Sequence, residues 1–511
     1  MPHLKELASK GVTFQDAHSS PKCGPSRYSL LSGNYAHRGT RQYGTYNFDQ
    51  ESSQFRKYQV SIAEALRRKA NYTTWAAGKW HLGAYIQPHG LISNATDPKE
   101  KRSRMISEPG HNWSLPILFG PKYLGFDHSY ISMGGVGGPP YSFFKDGMLN
   151  MDPKDYKYWD SGKYECDYGI CAIPNSAEGD PNWASAAHDM IIVNETEEFI
   201  DNHLQTSPNE VFFAYIALGS VHYPHTSPKF WLDGTPVAGQ YDTPHLDMLG
   251  QMDKAVGSIV KIIEDRNLQE DTIIIFTSDN GGLRASRPGH ISSGPLKGMK
   301  EDIWEGGHRV PLIIRFDGKL PMNEKRNRMV GINDIYETVC DIVGIVKPGG
   351  AAVDSQSFAS YLFDGKNQTN LREYLSHFRM DNEVQHAIRW WNMKLIHVPK
   401  NNTFSLYDVN TDIGESNNLI KKPWVKNNKR IQIMYNKLLS DGPCARVDET
   451  AWFHISMLNK NKQCNWFKEK DTEKRCEKFI EGEINCPSIC SRNLKNHKCR
   501  DLNRLFEQNQ Q

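Results

Sequence analysis

The sequence CGPSR at residues 23–27 decides how this 511-residue chain is interpreted. It directly precedes a helix-forming run at residues 28–35. Proline is favoured in the first turn of a helix, because its missing N–H breaks no hydrogen bond there. The free N–H groups of that helix would face an anion near Cys23, and Arg27 adds a planar, permanent positive charge. The stretch therefore predicts a nucleophile placed in an anion-binding pocket.

Further motifs follow this stretch in a fixed order. They are LLSG at residues 30–33, GKWHLG at 78–83, SVHYP at 220–224, TSDNGG at 277–282, and Lys300 with EGG five residues later at 305–307. In this order they resemble the motifs of the type I sulfatases, over roughly residues 1–420. One short motif would be a weak signal, but five in the same order are specific.

Composition and length limit the class of protein. The chain is 38% hydrophobic and 11% aromatic, which is typical of a globular protein. At 511 residues it is expected to form two or more structural units. A net charge of +2 argues against a nucleic-acid partner or a membrane-surface role. The sequence has no apolar run long enough to cross a bilayer, so we expect no membrane span.

The order of apolar segments predicts an α/β fold. Residues 72–77, 212–217 and 272–276 are each expected to be strands, the last one buried on both faces, and each precedes one of the motifs. Ligands of open α/β sheets bind at the carboxyl ends of such strands. Apolar residues at helical spacing predict a helix that ends near Arg266. Residues 84–182 show little periodicity and are expected to form long loops over the site, where substrate choice resides.

The resemblance gives this pattern a more specific form. It implies an alkaline-phosphatase-like sandwich with a central mixed, mostly parallel sheet and a small C-terminal antiparallel sheet. We expect a catalytic α/β domain at residues 1–345, a small α+β subdomain at 346–430 and a Cys-rich extension at 431–511. The motifs RW at 389–390, KLI at 394–396 and LYD at 406–408 resemble the family's small sheet.

Cysteine usage indicates an oxidising compartment. Six of the ten cysteines fall in the last unit, which predicts a disulfide-stapled appendage: Cys444, Cys464, Cys476, Cys486, Cys490 and Cys499. Zinc binding by this cluster is a competing interpretation, ranked lower because the spacings are irregular. Cys166 and Cys171 could close a small loop, and Cys340 lies in an apolar helical run as a buried thiol.

Secretion is also indicated by N-glycosylation sequons. They begin at Asn71, Asn94, Asn112, Asn194, Asn367 and Asn401. No signal peptide is visible at Met1, which conflicts with this interpretation. We nevertheless expect a secreted or lysosomal protein.

The resemblance implies a modified nucleophile. In the sulfatases the signature cysteine is oxidised to formylglycine, whose hydrated aldehyde attacks sulfur, so Cys23 would be that residue. Covalent catalysis of this kind splits one hard displacement into two easier steps. Pro25 and Arg27 would belong to the sequence read by the formylglycine-generating enzyme, which makes this enzyme an expected partner.

Other site roles follow from the same resemblance. Lys79 and Lys300 would hold sulfate oxygens, Arg27 would steady the formylglycine and the metal ligands, and His81 would contact the formylglycine. His222 would protonate the departing alcohol, since histidine titrates near neutral pH. Asp279 and Asn280 offer hard oxygen ligands for Ca²⁺ or Mg²⁺, with Cys23 as a third ligand.

Each of these site assignments has a simpler alternative interpretation. Lone lysines are usually solvated, and Lys297 is close enough in sequence to be confused with Lys300. The histidines could be structural, and His225 competes with His222. An Asp-Asn pair followed by two glycines would ordinarily be a turn, so the metal site depends on the preceding strand and the other motifs.

One feature departs from the family pattern. Sulfatases place an Asp-Asp pair on a first strand upstream of the cysteine, whereas residues 1–7 align with the helix that follows that strand. The first strand, two metal ligands and a signal peptide are therefore expected to be absent from this sequence. We expect the chain by itself to bind metal weakly and to be inactive or poorly folded. Robust metal-dependent sulfatase activity would contradict this expectation.

Three function classes remain open. The leading one is a sulfatase acting on a sulfated small molecule or glycan, with the aromatic loops at residues 84–182 favouring a sugar sulfate. The second is a related hydrolase of phosphate esters or phosphonates. The third is an inactive protein that binds sulfated glycans.

Overall fold

The computed structural model describes residues 1–41, 53–87, 111–283, 291–366, 371–379 and 383–441. The six cysteines of the C-terminal extension and the sequons at Asn94 and Asn367 lie outside these residues.

The helices are α1 (Pro2–Ser9), α2 (Cys23–Ser32), α3 (Ile62–Ala70), α4 (His188–Thr206), α5 (Pro244–Asp265), α6 (Glu305–His308), α7 (Ile335–Val343), α8 (Ala359–Phe363), α9 (Pro423–Lys426) and α10 (Lys429–Asp441). The expected helix near Arg266 is α5, and Arg266 is its C-cap.

The strands form three larger sheets and two two-stranded sheets. The first sheet contains β1 (Val12–His18), β11 (Ile274–Thr277), β12 (Arg309–Arg315), β13 (Glu324–Arg326) and β14 (Val330–Gly331). The second contains β2 (Thr73–Lys79), β3 (His128–Ser132), β4 (Phe144–Lys145), β5 (Met148–Leu149) and β10 (Phe212–Ala217). The third contains β15 (Tyr374–Arg379), β16 (Gln385–Trp390), β17 (Met393–Val398) and β18 (Thr403–Asp408), all antiparallel. The two-stranded sheets pair β6 (Lys157–Trp159) with β9 (Ala177–Gly179), and β7 (Gly162–Cys166) with β8 (Gly169–Ile173).

This arrangement confirms the mixed α/β fold with a small antiparallel C-terminal sheet. The expected central sheet, however, is present as two five-stranded mixed sheets. One has the order β11-β12-β1-β13, with β14 also paired to β1, and the other has the order β10-β2-β3-β4-β5. Within the described residues, β10 pairs only with β2, and β11 pairs only with β12. All four residues of β11 are half-buried, so the expectation of a strand buried on both faces was wrong. An edge strand with one unpaired side cannot be covered like a central one.

Parallel pairing brings the ends of three strands together. The registers Gly78↔Ala217 and Lys79↔Ser132 align the carboxyl ends of β2, β10 and β3. Gly78 has a φ of +87°, and a Cβ there would lie 2.0 Å from the Ala217 carbonyl oxygen. Only glycine permits this close approach. The strand end that carries Lys79 is therefore fixed against β10.

Helix α2 begins earlier than the sequence indicates. The predicted helix covered residues 28–35, whereas α2 starts at Cys23 and ends at Ser32. Pro25 is compatible with this start because the first turn needs no N–H from that residue. Gly33 closes the helix in the left-handed conformation, with its N–H bonded to Ser29 O. Cys23 is thus a helical residue at the positive end of the helix, rather than a loop residue before it.

Residues 84–182 contain more regular structure than expected. Strands β3 to β9 lie within this segment, between residues 128 and 179. A disulfide joins Cys166 to Cys171, as the sequence predicts. Cys340 is a buried free thiol in α7, also as predicted. In the described parts of the chain, no helix has both the length and the apolar character needed to cross a membrane.

A buried charge cluster attaches the C-terminal sheet to the rest of the fold. Glu305 accepts from Arg389 Nη1 at 2.6 Å and from Lys394 Nζ at 3.1 Å, and both cations are on the small sheet. The Glu305 N–H donates to Glu415 Oε2 at 2.8 Å. None of these four residues is more than 2% exposed. Buried charges are tolerated only when each has a partner, so the cluster fixes how the two parts pack.

Breaking this cluster should unfold the protein more easily. We expect Glu305→Gln to lower the free energy of unfolding by about 1–3 kcal/mol, because two buried cations each lose one carboxylate partner. Arg389 keeps Asp16 and Lys394 keeps Glu415. Urea unfolding would measure it. Asp265→Asn, in the exposed pair with Lys261, is the control and should change stability little. A Glu305→Gln protein as stable as the control would show that the cluster does not hold the sheet.

Candidate active site

Cys23 lies between two groups from the end of β2. Its Sγ is 3.3 Å from His81 Nδ1 and 3.9 Å from Lys79 Nζ. Cys23 is 3% exposed and Lys79 is 4% exposed, so the contacts are almost shielded from water. The structure therefore brings together three of the residues that the motifs singled out.

Arg27 connects the strand ends around Cys23. Its Nη1 donates to Lys79 O at 2.6 Å and lies 3.4 Å from Tyr215 Oη on β10. Its Nε and Nη2 donate to Asp279 Oδ2 at 3.1 and 2.7 Å. A single guanidinium thus contacts β2, β10 and the turn after β11. Because Asp279 is an expected metal ligand, the structure places Arg27 next to that ligand.

The cluster carries an excess of positive charge. The Lys79, Lys300 and Arg27 cations face a single carboxylate, that of Asp279, among the residues described here. Burial opposes ionisation of Asp279, but the Arg27 and Lys79 charges outweigh it and lower its pKa to about 2. Burial likewise opposes ionisation of the Cys23 thiol, yet Lys79, Lys300 and Arg27 lower its pKa. Such a site favours an additional anion.

The two candidate histidines are neutral in this arrangement. Burial, followed by the Lys79 and Arg27 charges, holds the pKa of His81 well below its usual range. The Lys79 charge, then burial and Lys300, lower the pKa of His222 to about 2. His222 Nδ1 is 2.6 Å from the Tyr223 carbonyl oxygen, which can only accept. Nδ1 therefore carries the proton, and Nε2 is the nitrogen available to a ligand.

Asp279 and Asn280 meet the chemical requirements of a hard cation. The Asp279 carboxylate is ionised, and Asn280 Oδ1 is buried without a hydrogen-bond partner. Asn280 Nδ2 donates to Gly281 O at 2.9 Å, which identifies Oδ1 as the free acceptor. A buried oxygen without a hydrogen-bond partner is unfavourable unless a ligand binds to it. The residues fit Ca²⁺ or Mg²⁺, although one carboxylate predicts weak binding.

A glycine-rich run, not singled out in the sequence, forms one wall of the site. It has the sequence MGGVGG at residues 133–138 and directly follows β3. A Cβ at Gly135 would lie 2.8 Å from Lys79 Cδ, and one at Gly137 would lie 2.4 Å from the His222 ring. Glycine is required here so that the backbone can approach both side chains. Its position at the carboxyl end of a strand was the signal that could have indicated it.

The structure distinguishes the candidate lysine and histidine of the site from their alternatives nearby in the sequence. Lys297 Nζ packs 3.5 Å above the Trp304 ring and donates to Glu415 O, so it is held away from Cys23. The Lys300 charge, in contrast, acts on Cys23 and His222. His225 Nε2 lies 3.3 Å from His245 Nδ1 and is engaged there.

In a second group of buried histidines, His18 and His308 have hydrogen-bond partners, whereas His377 Nε2 has none. His18 Nδ1 and His308 Nδ1 lie 3.0 Å apart, His308 Nε2 is 3.1 Å from Lys394 Nζ, and His18 Nε2 is 2.9 Å from Asp16 Oδ1. This is a complete hydrogen-bonded chain from a lysine to a carboxylate. The rings of His308 and His377 are stacked 3.8 Å apart at 14°, so their lone pairs lie in nearly parallel planes and do not converge on one ion.

Comparisons with known proteins identify the family of this chain. The sequence model of the family described as Sulfatase matches residues 1–345. A second family model, described as N-sulphoglucosamine sulphohydrolase, C-terminal, matches residues 299–441. The second match covers α6 and the small antiparallel sheet.

Individual relatives are similar at moderate identity. An N-acetylgalactosamine-6-O-sulfatase of Bacteroides thetaiotaomicron is 27% identical over 473 residues, or 82% of this chain and 85% of the relative. Human N-acetylgalactosamine-6-sulfatase is 26% identical over 71% of this chain, and the match spans 61% of the human protein. A solved structure from Bacteroides thetaiotaomicron, described with the metabolism of multiple glycosaminoglycans, has a TM-score of 0.69 at 24% identity, covering 86% of this chain and 93% of its own.

The excess positive charge predicts that inorganic sulfate binds the folded protein. We expect a saturable rise in melting temperature with sodium sulfate, relative to sodium chloride at equal ionic strength. Sulfate at ten times its dissociation constant would add about 1.4 kcal/mol of stability. Lys79→Ala should abolish the saturable part, because it removes a buried cation beside Cys23. Lys145→Ala, which removes a surface cation paired with Glu195, should retain it. Equal responses in both variants would show only the general salt effect.

Proposed function

The chain belongs to the sulfatase family, an enzyme family of sulfuric ester hydrolases, and we propose that it hydrolyses a carbohydrate sulfate ester through a formylglycine formed from Cys23. The observation that carries this proposal is the position of Cys23. It lies at the positive end of α2, 3.3 Å from His81 Nδ1 and 3.9 Å from Lys79 Nζ. A residue there can reach the sulfur atom of an anion held by the surrounding cations.

Lys79 and Lys300 hold the sulfate group in this proposal. Their charges, together with that of Arg27, exceed the single negative charge of Asp279. The sulfate monoester offsets part of this excess, and its oxygens gain more charge as the ester bond breaks. Preorganised cations therefore stabilise the transition state more than the bound substrate.

His222 supplies the proton to the departing alcohol. The Lys79 charge is the largest cause of its low pKa, and a sulfate bound to Lys79 and Lys300 offsets that cause. The pKa of His222 therefore rises when the substrate binds. Its Nε2 can then hold a proton for the leaving oxygen, while Nδ1 stays bonded to Tyr223 O.

Formylglycine hydrated by one water would supply a hydroxyl nucleophile and a second hydroxyl, whose deprotonation re-forms the aldehyde and breaks the C–O bond to the sulfate. His81 is the residue in contact with that position and orients it. Asp279, Asn280 and residue 23 would hold Ca²⁺ or Mg²⁺, which polarises the sulfate. Arg27 keeps Asp279 ionised and in place for that purpose.

A carbohydrate substrate and the secretory pathway are supported by separate observations. The relatives include proteins named as N-acetylgalactosamine sulfatases. Tyr223, next to His222, is 60% exposed and can pack against a sugar ring. The Cys166–Cys171 disulfide and the exposed sequon residues Asn71, Asn194 and Asn401 are typical of secreted proteins.

Conversion of Cys23 is the first test. After expression in a secretory host that supplies the formylglycine-generating enzyme, the Cys23 peptide should lose about 18 Da, as expected when a thiol becomes an aldehyde. Arg27→Ala should greatly reduce this conversion, because Arg27 belongs to the sequence that is read. The Cys340 peptide of the same sample is the internal control and should keep its mass. An unmodified Cys23 would contradict the proposal and favour a binding role.

Substrate preference is the second test. Measurable turnover would contradict the expectation that the chain by itself is inactive. Given turnover, we expect kcat/KM for 4-nitrophenyl sulfate to exceed that for 4-nitrophenyl phosphate at least about tenfold, or about 1.4 kcal/mol of differential transition-state binding. Added Ca²⁺ should increase turnover with a midpoint of about 10⁻⁴–10⁻³ M, because few carboxylates surround it. The Asn280→Ala variant should need a higher Ca²⁺ concentration to reach half of its maximal turnover. A preference for phosphate would favour the related phosphoester hydrolases, and glycan binding without turnover would favour the binding protein.

A further inference from the structure

A buried carboxylate in α4 is attached to the loop that carries His222. Asp189 is 0% exposed. Its Oδ1 accepts from Gly219 N at 2.7 Å, and its Oδ2 accepts from Ser220 N at 3.2 Å and from the Ser220 hydroxyl. Gln251 Nε2 also lies 3.3 Å from Oδ2. Both oxygens are therefore used, and three of these donors belong to two consecutive loop residues.

These loop residues fix the start of the segment that ends at His222. The His222 N–H donates back to Gly219 O at 3.0 Å, which closes a tight turn over Gly219–His222. A carboxylate that holds Gly219 and Ser220 therefore fixes the backbone from which the His222 side chain projects. Truncating any of these bonds would leave a buried acceptor or donor unpaired.

The same helix start is also attached to β3. His188 Nε2 lies 2.8 Å from Ser132 Oγ, and Ser132 is in register with Lys79. His188 Nδ1 lies 3.2 Å from Asp189 Oδ1. The positions of Lys79 and of the His222 loop are thus linked through two adjacent residues of α4.

We propose that Asp189 is a positioning residue that holds His222 where its Nε2 can protonate the leaving alcohol oxygen. This inference depends on the proposed sulfatase function. Asp189 does not contact the reacting groups, so its effect passes through Gly219 and Ser220. A purely structural role would lower stability or affect all substrates equally. A positioning role affects only reactions that need the proton.

The chain offers a matched control for this test. Asp253 is also a buried carboxylate, 2% exposed, and accepts two backbone N–H bonds from His3 and Leu4. Its partners belong to the start of the chain rather than to the His222 loop. Asp253→Asn therefore reports the cost of neutralising a buried carboxylate that does not support the site.

The experiment compares two sulfate esters with the mature enzyme. We expect Asp189→Asn to lower kcat for a sugar sulfate about 10–100-fold, part of the contribution of general acid catalysis. The kcat for 4-nitrophenyl sulfate, whose leaving group needs no proton, should fall less than about threefold. KM should change little for either ester. Asp253→Asn should not change the ratio of the two kcat values.

A double variant separates positioning from other causes. If Asp189 acts through His222, Asp189→Asn combined with His222→Ala should be no slower than His222→Ala alone. Additive losses would overturn the inference, as would an equal loss on both esters. A wild-type enzyme without sulfatase activity would instead overturn the proposed function.

A milder variant covers the case in which Asp189→Asn does not fold. Ser220→Ala removes one donor to Asp189 Oδ2 and leaves the carboxylate in place. It should lower kcat about 3–10-fold on the sugar sulfate alone. Ser220→Thr, which keeps the hydroxyl, should restore most of that loss. Unchanged sugar-sulfate turnover in Ser220→Ala would count against the inference.

Discussion

The interaction on which the site depends is the set of hydrogen bonds made by the Arg27 guanidinium. Arg27 projects from α2 and contacts the end of β2 through Lys79 O, the turn after β11 through Asp279 and β10 through Tyr215. A lysine has neither the planar fork nor enough fixed donors to make these contacts together. Because β10 and β11 belong to different sheets, this one side chain contacts both sheets at the point where the chemistry occurs.

The arrangement is locally unfavourable in the absence of a ligand. Cations from Arg27, Lys79 and Lys300 share one carboxylate, and Asn280 Oδ1 has no hydrogen-bond partner. Like charges at close range lower the stability of the folded state, and the rest of the core must offset that cost. Binding an anion and a hard cation relieves both defects. Affinity for the substrate and instability of the empty site therefore have the same physical origin.

Local patterns predicted much of the fold and most of the site. Helix α5 and strand β10 follow from apolar spacing, and the motif residues meet because each motif follows a strand that ends at one edge. The division into two sheets depends on long-range pairing, which no local pattern encodes. Asp189 gave no signal either, since a single carboxylate in a helix is usually solvated. Only the fold shows that it is buried against the His222 loop.

The Glu305 cluster has a consequence for how the protein is made. Glu305 is buried against Arg389 and Lys394, and its N–H needs the carboxylate of Glu415. These partners are synthesised 84 to 110 residues after Glu305. While the chain emerges from the ribosome, Glu305 therefore has the neighbouring Arg309 but still lacks Arg389, Lys394 and Glu415. The final packing of Glu305 must wait for residue 415, so the region around α6 and the small C-terminal sheet complete their folding together.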